Sequence, residues 1–352
     1  MDFKKIIEYL VQDNATDVFI IAGKSLTYKK NGKMKQLSDD IIKPNDTREM
    51  VKMIYGYANN REMKKFEETG DDDFAFAIPN LARFRVNVYQ QRGSWAAVLR
   101  IINFHIPEPE ALGIKEEVMK AASLDKGLVL VTGAAGSGKS TTLACIIDRI
   151  NTTRENHIIT LEDPVEFLHP HKKGIVSQRE IACDTVSFLT ALRATLRQSP
   201  DVVLIGELRD YETTEIAMTA AETGHLIFSS LHTLGAANAI DRIVDSFPAN
   251  QQQQILLQLS MVLKTVISQQ LVPTIDGTLV PVFEIMIMTP AIKNLVREGK
   301  THQIDNVIAT SATTDGMISM DKSLLDLYKA QRITRETTLM YAMNPEMMAR
   351  KL

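Results

Sequence analysis

Residues 133–140 read GAAGSGKS, from Gly133 to Ser140. The spacing is that of a phosphate-binding loop, the Walker A pattern. Each residue type has a physical reason. Gly133, Gly136 and Gly138, with Ala134, Ala135 and Ser137 between them, let the backbone wrap an anion with its N–H groups turned inward. The helix that follows, through Thr141, puts the positive end of its dipole at the same anion. Lys139 can reach the β- and γ-phosphates of a nucleotide, and the Ser140 hydroxyl can ligate Mg²⁺. The setting agrees, because an apolar run at 128–132 precedes the loop and Thr141-Thr142-Leu143-Ala144 can continue as helix. ATP and Mg²⁺ are the ligands expected.

Binding alone does not make a hydrolase; hydrolysis also calls for carboxylates, and several follow strands in this chain. Glu162-Asp163-Pro164-Val165-Glu166 follows an apolar run at 157–161, and Gly206-Glu207-Leu208-Arg209-Asp210 follows one at 202–205. A third run, 226–229, is flanked by His225 and His232. Sheet tips of this kind are where parallel α/β folds hold ligands. A carboxylate there can align and deprotonate water, or hold Mg²⁺ through its water shell. Any one of these acids taken alone reads as a helix N-cap or a surface charge. A lone histidine is commonly a structural residue. As a set behind a P-loop, they point to hydrolysis.

Strands alternating with helices over this half imply a largely parallel sheet covered on both faces. After Pro248 the chain reads as mostly helical, with Ile255, Leu259, Val262 and Val266 at helical spacing and glutamines 251–254 opening the helix. The first half has a different character. Phe3, Ile6, Ile7 and Leu10 share one helical face, and a strand is expected at 18–21. Asn31-Gly32 marks a hairpin turn, and residues 47–68 read as helix. Phe74, Phe76 and Ile78 alternate, as do Phe84, Val86 and Val88, and 98–102 is a further strand. The two prolines of His105-Ile106-Pro107-Glu108-Pro109-Glu110 mark a linker. The expected domains are therefore 1–104, a linker at 105–112, and 113–352.

At 352 residues, 45% hydrophobic and 24% charged, the composition is that of an ordinary globular protein. A net charge of −3 argues against broad nucleic-acid binding, as does the lack of a basic, aromatic-interleaved stretch. Cys145 and Cys183 cannot build a disulfide framework or a four-thiolate zinc site, which favours a reducing compartment. No run approaches the roughly 18 apolar residues of a membrane span. No direct membrane insertion is expected, and any membrane role passes through a partner.

In combination, three stretches carry a family resemblance: ITLEDPVEF (159–167), DVVLIGELRD (201–210) and AETGHLIFSSLHT (221–233). The chain resembles the secretion and type IV pilus motor ATPases, and among them the pilus retraction ATPases of the PilT/PilU type. In that family the stretches correspond to an Asp box, an atypical Walker B with Gly206 in place of aspartate, and a His box. The resemblance implies an α/β architecture, with an N-terminal PAS-like α+β domain followed by a RecA-like P-loop ATPase domain with a helical C-terminal part. It implies Glu166 as the base that activates water and Glu207 as support for Mg²⁺ and the γ-phosphate, with Glu162 and Asp163 beside it as metal-site candidates. His225 and His232 would contact the nucleotide. Arg83, Arg85 and Arg100 would reach its phosphates, with Arg193, Arg197 and Arg209 as further candidates. From residue alternation alone, Arg83 and Arg85 read as the solvated face of a strand.

The resemblance further implies a homo-hexamer in the cytoplasm, at the inner face of the cytoplasmic membrane, acting on an inner-membrane platform protein. A second retraction ATPase is a candidate partner. The linker would serve as the hinge that nucleotide opens and closes. Extension and secretion motors carry an extra N-terminal domain and, in many cases, a four-cysteine zinc module; neither is legible here. TPAIKNLVREGK (289–300) resembles the C-terminal stretch of retraction motors, departing from it at Lys293 and Val296. The alternatives are an assembly or secretion motor, a low-turnover accessory subunit, and a RecA-like nucleic-acid translocase.

Overall fold

The computed structural model describes residues 3–30, 32–79, 81–102, 106–311 and 316–352. They divide into one unit of residues 1–105 with 166–168, and a second of 106–165 with 169–352. Asn31 of the expected hairpin turn and His105 of the expected linker lie outside the described residues.

The smaller unit is an antiparallel sheet backed by helices. Its elements are α1 (Phe3–Gln12), β1 (Asp17–Ile20), β2 (Ser25–Lys30), β3 (Lys33–Ile41), α2 (Pro44–Tyr57), α3 (Lys64–Thr69), β4 (Asp71–Ile78), β5 (Ala82–Gln91) and β6 (Ser94–Ile102). The strand order is β3-β2-β1-β6-β5-β4. Phe3, Ile6, Ile7 and Leu10 are buried, as their spacing on one helical face predicts. Phe74, Phe76 and Ile78 alternate inward along β4 and meet Phe84, Val86 and Val88 of β5 in one core. The helix expected over 47–68 is two helices. Asn59 and Asn60 adopt left-handed φ values of 56° and 54° and end the first; asparagine tolerates that region better than most residues.

The larger unit holds α4 (Glu116–Met119), β7 (Gly127–Thr132), α5 (Lys139–Thr153), β8 (His157–Glu162), β9 (Ile175–Glu180), α6 (Phe188–Thr195), β10 (Val202–Ile205), α7 (Tyr211–Glu222), β11 (Leu226–Leu231), α8 (Ala236–Asp245) and α9 (Gln252–Val262). There follow β12 (Leu263–Pro273), β13 (Leu279–Ile287), α10 (Pro290–Arg297), α11 (Ile304–Ser311), α12 (Met320–Lys329), α13 (Arg335–Tyr341) and α14 (Pro345–Ala349). The sheet order is β13-β12-β7-β11-β10-β8-β9. All pairs are parallel except β12–β13. β7, β10 and β11 are buried along their whole length, because apolar clusters cover both faces of the sheet. The parallel register aligns the ends of β7, β8, β10 and β11, and the loops after them carry the expected site.

One expectation needs correction. The helix that was to run through Val266 stops at Val262, and Val266 lies on β12, the strand beside β7. Residues 106–112, expected as a linker, are packed against the larger unit. Ile106 and Leu112 join its apolar cluster, and the Cys145 thiol lies 3.4 Å from the Pro107 carbonyl. Burial pushes the Cys145 thiol up to about 11, which keeps it an inert packing residue. Among the described residues no helix is long and apolar enough to cross a membrane.

Glu284 on β13 is buried directly opposite Ser268 of β12. Its Oε1 accepts from the Ala236 amide at 2.9 Å, and the Ser268 hydroxyl accepts from the Gly235 amide at 2.9 Å, so the pair caps the start of α8. Burial raises the Glu284 carboxyl to about 6 against the pull of the Ala236 amide; its ordinary value is 4.5. The folded state therefore holds this proton more tightly than the unfolded chain. Stability from this group is greatest below pH 4.5 and falls by about 2 kcal/mol as pH rises through 6. Glu284→Gln removes that slope. Denaturant unfolding from pH 4 to 7 is expected to show the variant gaining about 2 kcal/mol on the wild type over that range. Parallel profiles would contradict the assignment.

Candidate nucleotide site

The loop between β7 and α5 is built for an anion. Gly133, Gly136 and Gly138 have φ of 146°, 76° and 85°, where side-chain-bearing residues are strained. At Gly133 there is also no room, since a Cβ would lie 2.2 Å from the Gln269 carbonyl oxygen and 2.7 Å from Ser137 Oγ. The Gly133 amide is tied to the Leu231 carbonyl at 3.2 Å, which fixes the loop to the tip of β11. No side chain caps α5, which begins after Gly138. Its first N–H groups and its dipole face the loop. Ser140 is exposed in the first turn and Thr141 is half-buried. The Thr132 and Ser137 hydroxyls are buried without a hydrogen-bond partner among the described residues. These features fit a bound phosphate.

Lys139 is buried, with Nζ 2.9 Å from both the Gly133 and the Ala134 carbonyl oxygens. The ammonium thus lies folded over the loop it belongs to. From it a polar chain crosses the sheet tips. His232 Nδ1 lies 3.5 Å from Lys139 Nζ, and His232 Nε2 lies 3.5 Å from Glu207 Oε2. Glu207 pairs with Arg209, whose Nη1 lies 3.9 Å from Asp163 Oδ2. The partners assign the imidazole tautomer. An ammonium only donates, so Nδ1 accepts from Lys139 and the proton sits on Nε2, toward the carboxylate. The hydrogen bond to Glu207 holds the Arg209 guanidinium above its ordinary pKa, against the opposing effect of burial. Loops after three different strands, β8, β10 and β11, thus converge on the P-loop lysine.

Gly206, where aspartate is common, has a local cause. Its amide donates to the Leu161 carbonyl at 2.7 Å, and a Cβ would lie 3.3 Å from that oxygen and 3.5 Å from Glu162 Cα. A side chain here would press on β8, which would have to give by a few tenths of an ångström, and the carboxylate stands one residue on, at Glu207. Asp210 is a helix cap: its side chain accepts from the Thr213 amide at 2.7 Å.

Other expected residues lie elsewhere. His225 immediately precedes β11, its carbonyl accepts from the Gly127 amide at 3.0 Å, and its Nδ1 lies 3.0 Å from the Ala220 carbonyl. It is at the opposite end of the strand from His232, about 23 Å of extended chain away. Glu162 accepts from Thr160 at 2.6 Å and Gln178 at 3.3 Å. Among the described residues, Glu162, Asp163 and Glu207 do not form a group of three that could hold a metal ion. A P-loop site does not need one, because Mg²⁺ keeps several waters and takes a hydroxyl and phosphate oxygens; Ser140 is the residue suited to it. Glu166 is exposed between β8 and β9 and is grouped with the smaller unit. Arg193 and Arg197 are exposed on α6 and just beyond it, with Arg197 Nη1 on the Arg193 carbonyl at 3.2 Å. Within the smaller unit Arg85 pairs with Asp73 and Arg100 with Asp17, each at 3.1 Å. Arg83 lies on the same strand as Arg85, half-buried.

Two residues of the site went unread in the sequence, Gln269 and Thr142. The Gln269 amide donates to the Ser137 carbonyl at 2.7 Å and accepts from the Thr142 hydroxyl at 2.7 Å.

Fold and site together define a class, the RecA-like P-loop ATPases. A family model described as "Type II/IV secretion system protein" matches residues 1–342. The chain belongs to that family. It is 42% identical over 346 residues to a Pseudomonas aeruginosa protein described as "Type IV pilus retractation ATPase PilT", covering 98% of this chain and 99% of that one. It is 40% identical to "Type IV pilus ATPase PilU" of the same organism, over 97% and 89% of the two chains. Among solved structures it superposes on "Crystal Structure of the Pilus Retraction Motor PilT and Bound ADP" with a TM-score of 0.91 and 43% identity, over 99% of each chain.

Lys139→Ala removes the ammonium, and Gly133→Ala drives a methyl into the Gln269 carbonyl. Both are expected to abolish binding of a fluorescent ADP analogue in titration. Lys139→Ala should keep its fold, whereas Gly133→Ala should also be destabilised, by about 1–3 kcal/mol from backbone strain. Wild-type affinity in folded Lys139→Ala would remove this loop as the nucleotide site.

Proposed function

We propose that this chain is the ATP-hydrolysing motor that powers type IV pilus retraction, withdrawing pilin subunits and so supporting twitching motility. The carrying observation is the convergence of Lys139, His232, Glu207, Arg209 and Asp163 on one sheet tip. The near end-to-end likeness to the retraction ATPase supports the same reading. The working form is a homo-hexamer at the cytoplasmic face of the inner membrane, acting on the platform protein of the pilus machine. A second retraction ATPase is a natural partner.

The chemistry follows from the residues. Lys139 exchanges its two loop carbonyls for phosphate oxygens. Glu207, held by Arg209 and His232, orders the waters on the phosphate side. His232 spans the lysine and the carboxylate, so a change at either reaches the other. Mg²⁺, held at Ser140, would neutralise charge on the transferring phosphoryl group. Glu166 is the base that aligns the attacking water. Arg83, Arg85 and Arg100 supply positive charge to the phosphates. The Arg85–Asp73 and Arg100–Asp17 pairs are surface pairs, each worth about 0–1 kcal/mol, so giving them up for a phosphate costs little.

The test is enzymatic. Purified Glu166→Gln is expected to bind ATP with wild-type affinity and to lose turnover by at least about a hundredfold, the usual scale of general-base loss. Full turnover in this variant would remove Glu166 from the role of base. Native mass measurement with ATP is expected to give six chains; a stable monomer that turns over ATP at full rate would overturn the ring.

A further inference from the structure

β12 runs parallel to β7, with Ile267 opposite Val131 and Ser268 opposite Thr132. Gln269 is therefore level with Gly133, the first residue of the P-loop. It is 2% exposed, and a buried carboxamide must find partners for its donor and its acceptor. Both partners belong to the P-loop and the helix it opens: Nε2 donates to Ser137 O, and Oε1 accepts from Thr142 Oγ1, each at 2.7 Å. The main chain adds a third contact, because the Gln269 carbonyl fills the space where Gly133 would carry a Cβ. A leucine would fill the same volume with nothing to satisfy, so packing alone does not call for an amide. β12 is itself held firmly on either side of Gln269. Ser268 Oγ accepts from the Gly235 amide at 2.9 Å, and Gln270 Nε2 donates to the Tyr341 carbonyl at 3.3 Å.

We propose that Gln269 is a positioning residue for ATP hydrolysis, holding the P-loop in its phosphate-binding shape before the nucleotide arrives. It touches the loop backbone and not the reacting atoms. A neutral amide suits the task, since it bridges a carbonyl and a hydroxyl without setting a charge beside the phosphates. The inference rests on the reading of this loop as the ATP site. An ordered loop has already lost the conformational freedom that binding would otherwise remove, and preorganisation of this kind appears in affinity. An interaction shared by ground and transition state moves KM and leaves kcat.

The experiment measures nucleotide Kd, KM and kcat for Gln269→Leu, Gln269→Glu, Thr142→Val and Thr142→Ser in the full chain. Gln269→Leu should raise the Kd for ADP and the KM for ATP about tenfold, the scale of losing buried hydrogen bonds, with kcat changed less than about threefold. Thr142→Ser keeps the hydroxyl and should bind as the wild type. Thr142→Val should weaken binding, and combining it with Gln269→Leu should add little further, because the two remove one shared contact. Gln269→Glu should bind as weakly as Gln269→Leu at pH 8 and recover as pH falls, since only the protonated acid can donate to Ser137. Unchanged Kd in folded Gln269→Leu, or a loss confined to kcat, would overturn the proposal. If Gln269→Leu does not fold, equal affinity of Thr142→Val and Thr142→Ser overturns it instead. Failure of the wild type to bind ATP would sink the underlying reading; a wild type that binds beside an indifferent Gln269→Leu sinks this proposal alone.

Discussion

The site rests on one constraint: a lysine ammonium, almost fully buried, held by the carbonyl oxygens of its own loop. Lys139 can occupy that position only because Gly133 lacks a Cβ and Gly138 adopts a left-handed φ just before the helix begins. Those two conditions depend on the sheet. Gly133 is pinned between the tip of β11, which takes its amide, and β12, whose carbonyl fills the space at its Cα. The parallel register of β7, β10 and β11 then brings Glu207 and His232 to the same edge. A shift of one residue in any of these strands would turn its tip residues to the other face.

The polar chain from Lys139 to Asp163 links charged groups through one imidazole across the sheet tips. Its members come from the P-loop and the loops after β8, β10 and β11, and each inner member has one neighbour on either side. A group entering at the lysine competes with His232 for the ammonium, and the imidazole then alters its bond to Glu207. Arg209 and the half-exposed His232 leave this chain open to solvent, so its pairs are individually weak and readily exchanged. The buried elements that frame it are the opposite. Glu284 and Ser268 fix the start of α8 from beneath, and Gln269 fixes the loop from the side. Weak polar exchange on a rigid frame is the arrangement a nucleotide-driven machine needs.

The P-loop was legible because wrapping a phosphate demands glycines, a lysine and a hydroxyl at fixed spacing. The acidic segments after strands were legible for a related reason, since a parallel sheet gathers its ligands at one edge. His225 and His232 show the limit of that argument. Both flank β11, but a strand of six residues separates its ends by the width of the sheet, and only one end faces the loop. β12 was hidden because Ile255, Leu259, Val262 and Val266 keep helical spacing straight across the junction at residue 263, where the helix becomes a strand covered on both faces. With the strand went Gln269, an amide in an apolar run that belongs to no motif. The break at Asn59 and Asn60 did carry a signal, since asparagine is the common non-glycine residue at left-handed φ.

The proposed function requires that hydrolysis at this loop drive withdrawal of pili. Its most direct measurement is a count of surface pili on host cells carrying Glu166→Gln at the native locus. An excess of pili with lost twitching is the result predicted. Bald cells would contradict it and make this chain a motor of extension.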